Sequence, residues 1–124
     1  MRLKVYLVQW NDEATVASAA RLAAQGWEVF AGSKDGEDAY QKIRTIKPDL
    51  VVFDLDTKPS HSLQVAEALR KCKSLETLPF IFTGGDARSL HNAKQRITNA
   101  EFTVSKDLVR EIKKQSSKVL YCSA

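Results

Sequence analysis

Five short apolar runs recur along the chain: Val5-Tyr6-Leu7-Val8, Trp27-Glu28-Val29-Phe30, Leu50-Val51-Val52-Phe53, Phe80-Ile81-Phe82 and Phe102-Thr103-Val104. Each is rich in β-branched or aromatic residues, the pattern of a buried strand. The first, third and fourth are almost wholly apolar, as a strand covered on both faces must be. Between the runs, apolar positions fall at helical spacing. The spacing predicts helices over Ala14 to Gln25 (stopped by Gly26), Glu37 to Ile46 (broken by Lys47-Pro48), Leu63 to Cys72, Ala87 to Ile97, and Lys106 to about Ser117. Ser105 is placed to cap the last, with Val104 and Val109 at the positions of a hydrophobic staple. Val119 and Leu120 extend its inner face. Strict β-α alternation at this length implies an α/β fold: a doubly wound parallel sheet with helices on both faces. Ligands of such sheets sit beyond the carboxyl ends of the strands. That directs attention to Gln9, Trp10, Asn11 and Asp12, to Asp54 and Asp56, to Thr83-Gly84-Gly85-Asp86, and to Ser105 and Lys106.

A chain of 124 residues with 44% hydrophobic and 27% charged residues is one average globular domain. The expected division is a domain over 1–118 and a C-terminal tail over 119–124. No apolar run approaches the roughly 20 residues that cross a bilayer. Two cysteines, Cys72 and Cys122, give no disulfide framework, so the expected location is the cytoplasm and no membrane partner is expected. Net charge is +4, with −1 over residues 1–62 and +5 over 63–124. The basic excess lacks interleaved aromatics or a recognition motif, so a solvated surface is expected and nucleic acid is not. His61 and His91 stand apart from each other and from the cysteines, and no zinc spacing exists.

The strand ends resemble the receiver domain of two-component response regulators, over about residues 3–117. Lys47-Pro48-Asp49-Leu50-Val51-Val52-Phe53-Asp54-Leu55 is similar to that family's third strand ending in its phospho-acceptor aspartate. Gln25-Gly26-Trp27-Glu28-Val29 matches the approach to the second strand, and Ser33-Lys34-Asp35-Gly36-Glu37-Asp38-Ala39 the turn into the second helix. Ala100 to Lys106 has the length that puts Lys106 on the family's lysine. The resemblance implies a flavodoxin-like five-stranded sheet of order 2-1-3-4-5. It also implies a signalling role in a phosphorelay, not an enzyme's, with a sensor histidine kinase or another signalling protein as partner. Asp54 would be the phospho-acceptor, Lys106 would steady the transferred group, and Thr83 would bond it. A homodimer would form through the fourth and fifth helices. That outer side carries Arg88, Lys94, Arg96 and Arg110, which a solvated helix face explains equally.

The chain departs from the pattern where chemistry is most demanding. In the family, two acidic residues after the first strand hold Mg²⁺; Gln9 and Trp10 stand there. Glutamine offers a neutral oxygen and indole none, whereas magnesium prefers near-octahedral oxygen ligands. Trp10 can plug the site, face a partner or simply pack in its loop. Only Asp54, with Asp12 or Asp56 bending inward, could rebuild a metal site, and Asp12 suits the start of a helix better. The hydroxyl position falls on Gly84 by counting from Pro79, or on Thr83 if the strand is one residue short. Asp107 replaces the proline after the lysine, and Thr103 the aromatic of the fifth strand. Electrostatic stabilisation is commonly the largest catalytic contribution, and 1.36 kcal/mol is tenfold in rate. Phosphotransfer is therefore expected to be slower by roughly two orders of magnitude, or absent. The resemblance, with these departures, implies a degenerate, or pseudo-, receiver, in which Asp54 and Lys106 would form a structural ion pair.

Two other classes share some of these residues. Asp54-Leu55-Asp56-Thr57 is similar to the first motif of haloacid-dehalogenase-type phosphatases. That family's threonine, however, falls on Lys58, and only 68 residues follow Asp56, with no late acidic pair. A basic nucleic-acid-binding domain is the other alternative. Thr83-Gly84-Gly85-Asp86 could cradle an anion at a helix start, but without a P-loop's lysine a turn and cap is the simpler expectation.

Overall fold

The structure, a computed structural model, describes residues 2–31 and 35–123, with side chains as far as Ser117. Ser33 and Lys34 of the second-helix turn lie outside the described residues, as do the side chains of Val119, Leu120 and Cys122. The elements alternate as the apolar runs require: β1 Lys4–Val8, α1 Asp12–Ala23, β2 Glu28–Phe30, α2 Gly36–Ile46, β3 Leu50–Asp54, α3 Pro59–Lys71, β4 Phe80–Thr83, α4 Ala87–Arg96, β5 Ala100–Thr103 and α5 Leu108–Ser123. The five strands are parallel, in the order β2-β1-β3-β4-β5. This is the flavodoxin-like order expected.

Alternation along each strand sends side chains to opposite faces, so the sheet carries two cores. On one face Tyr6, Val8, Val51, Phe53, Phe80 and Phe82 meet Ala39 and Ile43 of α2, Leu63, Ala66 and Leu69 of α3, and Ala93 of α4. On the other, Val5, Leu7, Leu50, Val52 and Ile81 meet Leu22 of α1 with Leu108 and Ile112 of α5. Aromatic rings bind β3, β4 and β5 together: Phe53 stacks on Phe82 at 5.0 Å, and Phe82 on Phe102 at 5.3 Å. At the amino edge, Arg70 lies 3.6 Å over the Phe80 ring and donates to the Leu75, Thr98 and Asn99 carbonyls. Burial pulls its guanidinium down to about 10, so it stays a cation at neutral pH.

Several boundaries differ from the apolar periodicity, each for a local reason. α1 begins at Asp12, because Asn11 Oδ1 accepts the Ala14 N–H at 2.9 Å and caps it. α3 begins at Pro59, before its apolar stripe, since proline's fixed φ and missing N–H suit a helix's first turn. The last helix starts at Leu108 rather than Lys106. Ser105–Asp107 forms a 3-10 turn, in which the Asp107 N–H returns to the Val104 carbonyl at 3.0 Å. Val104, expected to staple that helix, is 50% exposed. α5 runs to Ser123. No described helix is long and apolar enough to cross a membrane.

Candidate functional site

Strand pairing assembles the carboxyl edge. Asp54, the last residue of β3, pairs in register with Thr83, the last of β4, so both side chains leave the same face. Gln9 follows Val8, whose partner is Phe53, and so stands level with Asp54 on the other side. The register therefore puts Thr83, not Gly84, beside Asp54. Gly84 lies past the strand end, with φ +76°.

Asp54 is buried, at 3% exposure, and a buried carboxylate must be paired or hydrogen-bonded. The turn that follows supplies the bonds. Oδ2 accepts from the Thr57 N–H at 2.9 Å and from the Thr57 hydroxyl at 2.6 Å, while Oδ1 accepts from the Asp56 N–H at 3.2 Å. This is the local turn that aspartate favours by bonding the backbone ahead of it. The expected Asp54–Lys106 ion pair is absent from the described residues. Asp54 is satisfied by its own turn, while Lys106 sits exposed on the 3-10 turn, its carbonyl 3.5 Å from the Arg21 Nη2 donor.

Trp10 reaches across the end of β3. Its Nε1 donates to Ser62 Oγ at 3.0 Å, and Ser62 Oγ donates to the Asp54 carbonyl at 2.6 Å. The indole also packs against the core under α3 and lies 5.7 Å from the His61 ring. Trp10 thus closes over the site from the first strand's side, in the place where the family resemblance implies an acid. Thr57 and Ser62 are the site residues that apolar periodicity does not reveal. Asp54 and Thr57, three apart at a strand end, are a readable turn signal; the role of Ser62 depends on a contact 52 residues away.

Asp56 does not bend toward a metal position. Its Oδ1 accepts the Gly85 N–H at 2.8 Å. The β4–α4 loop, a possible anion cradle by sequence, therefore already holds a carboxylate of the chain. Asp86 accepts the Ser89 N–H and caps α4, the turn-and-cap arrangement expected. Asp12 is exposed in the first turn of α1. Two buried polar atoms at this edge have no partner: Gln9 Oε1 and Thr83 Oγ1. Among the described residues no three His, Cys, Asp or Glu side chains gather as metal ligands. For magnesium the donor set is a neutral amide oxygen, an indole committed to Ser62, and an Asp54 carboxylate wrapped by N–H and O–H donors. A hard dication that demands six oxygens does not fit it. On the outer side, Arg96 pairs with Glu67, Arg110 pairs with Asp107, and Lys94 lies over Phe102, so the basic residues there are partly compensated.

No protein-family model matches the chain. Over 44 residues it is 41% identical to the DNA-binding transcriptional activator EvgA of Escherichia coli K12, covering 36% of this chain and 22% of that protein. Over 73 residues it is 32% identical to the alkaline phosphatase synthesis transcriptional regulatory protein PhoP of Bacillus subtilis, covering 59% of this chain and 30% of that protein. The matches thus span under a third of those curated relatives. In structure it is similar to the signal receiver domain of a histidine kinase from Syntrophus aciditrophicus, with a TM-score of 0.78 at 17% identity, over 94% of this chain and 91% of that one. In fold the chain is similar to signal receiver domains, and the segments it shares with EvgA and PhoP belong to transcriptional regulators.

Proposed function

We propose that this receiver domain signals through protein contacts and accepts a phosphoryl group at Asp54 weakly or not at all. One observation carries the reading. Trp10, at an acidic-pair position, is hydrogen-bonded to Ser62 across the end of β3, and Asp54 is already bound by its own turn. Phosphoryl transfer needs charge neutralisation at the transferring group, usually the largest part of the catalysis. Gln9 and Trp10 supply no negative charge to hold the cation, and Lys106 forms no described ion pair with Asp54. The domain is non-enzymatic and cytoplasmic in this reading. Its partner is a sensor histidine kinase or another signalling protein, and α4 and α5 form the homodimer face.

Incubation with Mg²⁺ and acetyl phosphate, followed by intact mass measurement, tests the proposal. The expected spectrum is that of the unmodified chain. A stable gain of one phosphate that Asp54→Asn abolishes would overturn it.

A further inference from the structure

Asp56 is exposed, yet it is built into a fitted contact between the two loops flanking Asp54. Its Oδ1 accepts the Gly85 N–H at 2.8 Å. The carboxylate also fills the space that Gly84 leaves open: a Cβ on Gly84 would lie 2.3 Å from Asp56 Oδ2. One on Gly85 would lie 2.8 Å from the Leu55 Cβ. Both glycines have positive φ, +76° and +89°, a region costly for residues with a side chain. The β4–α4 loop is therefore shaped around residues 55 and 56. On the opposite side of the same residue, the Asp56 N–H donates to Asp54 Oδ1, next to the two bonds that Thr57 makes to Oδ2.

We propose that Asp56 is an autoinhibitory latch: seated on the Gly85 amide, its carboxylate keeps the 54–57 turn wrapped around the Asp54 carboxylate. A charge-assisted bond from a loop amide is a strong closure for a short turn. A group that takes the place of the Asp56 and Thr57 donors on Asp54 has to open that turn, and with it the latch. The inhibitory consequence rests on reading Asp54 as the acceptor position; the latch itself does not.

The test uses the full chain and two readouts that need no phosphorylation. In Asp56→Ala, checked for native far-UV circular dichroism, amide exchange at Gly85 and Thr57 should quicken about tenfold or more while Val5 to Val8 stay unchanged. Carbodiimide-driven amidation of Asp54, mapped by peptide mass, should rise by a similar factor. Gly84→Ala, which pushes the carboxylate out from the other loop, should give the same pattern. Asp56→Asn keeps a neutral acceptor of the same shape and should give a smaller change. Exchange at Thr57 and labelling at Asp54 equal to the parent's in Asp56→Ala would overturn the latch. An Asp54 phosphate adduct on the parent would instead overturn the proposed inactivity, leaving these two readouts to judge the latch separately.

Discussion

Replacing Ser62 by alanine removes one oxygen that two groups share. Ser62 is fully buried, and its Oγ donates to the Asp54 carbonyl at 2.6 Å while accepting the Trp10 Nε1–H at 3.0 Å. In Ser62→Ala the Asp54 carbonyl loses this donor and the indole N–H loses its acceptor. A buried polar group left without a partner costs about 1–3 kcal/mol. Trp10 is only partly buried, so water softens its share, and the expected loss is about 2–3 kcal/mol. Trp10→Phe removes the indole donor but leaves Ser62 bonded to Asp54, so about 0.5–1.5 kcal/mol is expected from the hydrogen bond alone. The double variant should cost less than the sum of the singles, by about 0.5–1.5 kcal/mol, because each removes the partner the other leaves stranded.

Urea unfolding followed by far-UV circular dichroism measures all three variants, since fluorescence would change with Trp10 itself. A Ser62→Ala chain within about 0.5 kcal/mol of the parent would refute the reasoning, as would an additive cycle. Either result would mean that the indole is not held by Ser62. Trp10 would then lose its structural role as the closure of the first strand's end.

Thr83→Val should leave stability unchanged or raise it by up to about 1 kcal/mol, because Thr83 is 6% exposed and its hydroxyl has no partner to lose. A urea-measured loss above about 1 kcal/mol would contradict this. Asp86 is held below its ordinary pKa of 3.8, chiefly by the hydrogen bond from the Ser89 backbone N–H at the start of α4. A carboxyl depressed by folding contributes stability fully above its unfolded value, and loses that contribution as pH falls through the folded one. The parent should therefore lose part of its stability as pH falls below 3.8, and Asp86→Asn, which caps without titrating, should flatten that slope in unfolding measured at pH 6 and pH 3.

The fold was legible because β1, β3 and β4 are central strands whose apolar residues must cover both faces, leaving continuous runs at Val5 to Val8, Leu50 to Phe53 and Phe80 to Phe82. The edge strand β5 was less so. Phe102-Thr103-Val104 has the composition of a strand, but Asn99 turns at φ +56°, pairing starts at Ala100, and Val104 is left half exposed. Pro59-Ser60-His61-Ser62 carries no apolar period, so the first turn of α3 was hidden, and with it the buried Ser62. Asp54 and Thr83 could be placed because strand ends define the edge. Where their side chains turn could not, because a carboxylate chooses between a distant lysine and the amides of its own turn on bond lengths that spacing does not encode.

That choice bears on what the edge can do. Two carboxylates, Asp54 and Asp56, stand two residues apart, a crowding of negative charge that a dication would ordinarily relieve. Here the relief comes from the chain. Asp54 receives the Asp56 N–H, the Thr57 N–H and the Thr57 hydroxyl, and Asp56 receives the Gly85 N–H. Fixed N–H and O–H donors thus take the places around these oxygens that a bound ion would otherwise fill. An arriving magnesium would have to displace these donors, and at the end of the first strand Gln9 offers a neutral amide oxygen, with no added charge. Asp54 is thus an internally hydrogen-bonded carboxylate that closes the start of the β3–α3 loop, and Asp56 ties that loop to the β4–α4 loop through the Gly85 amide.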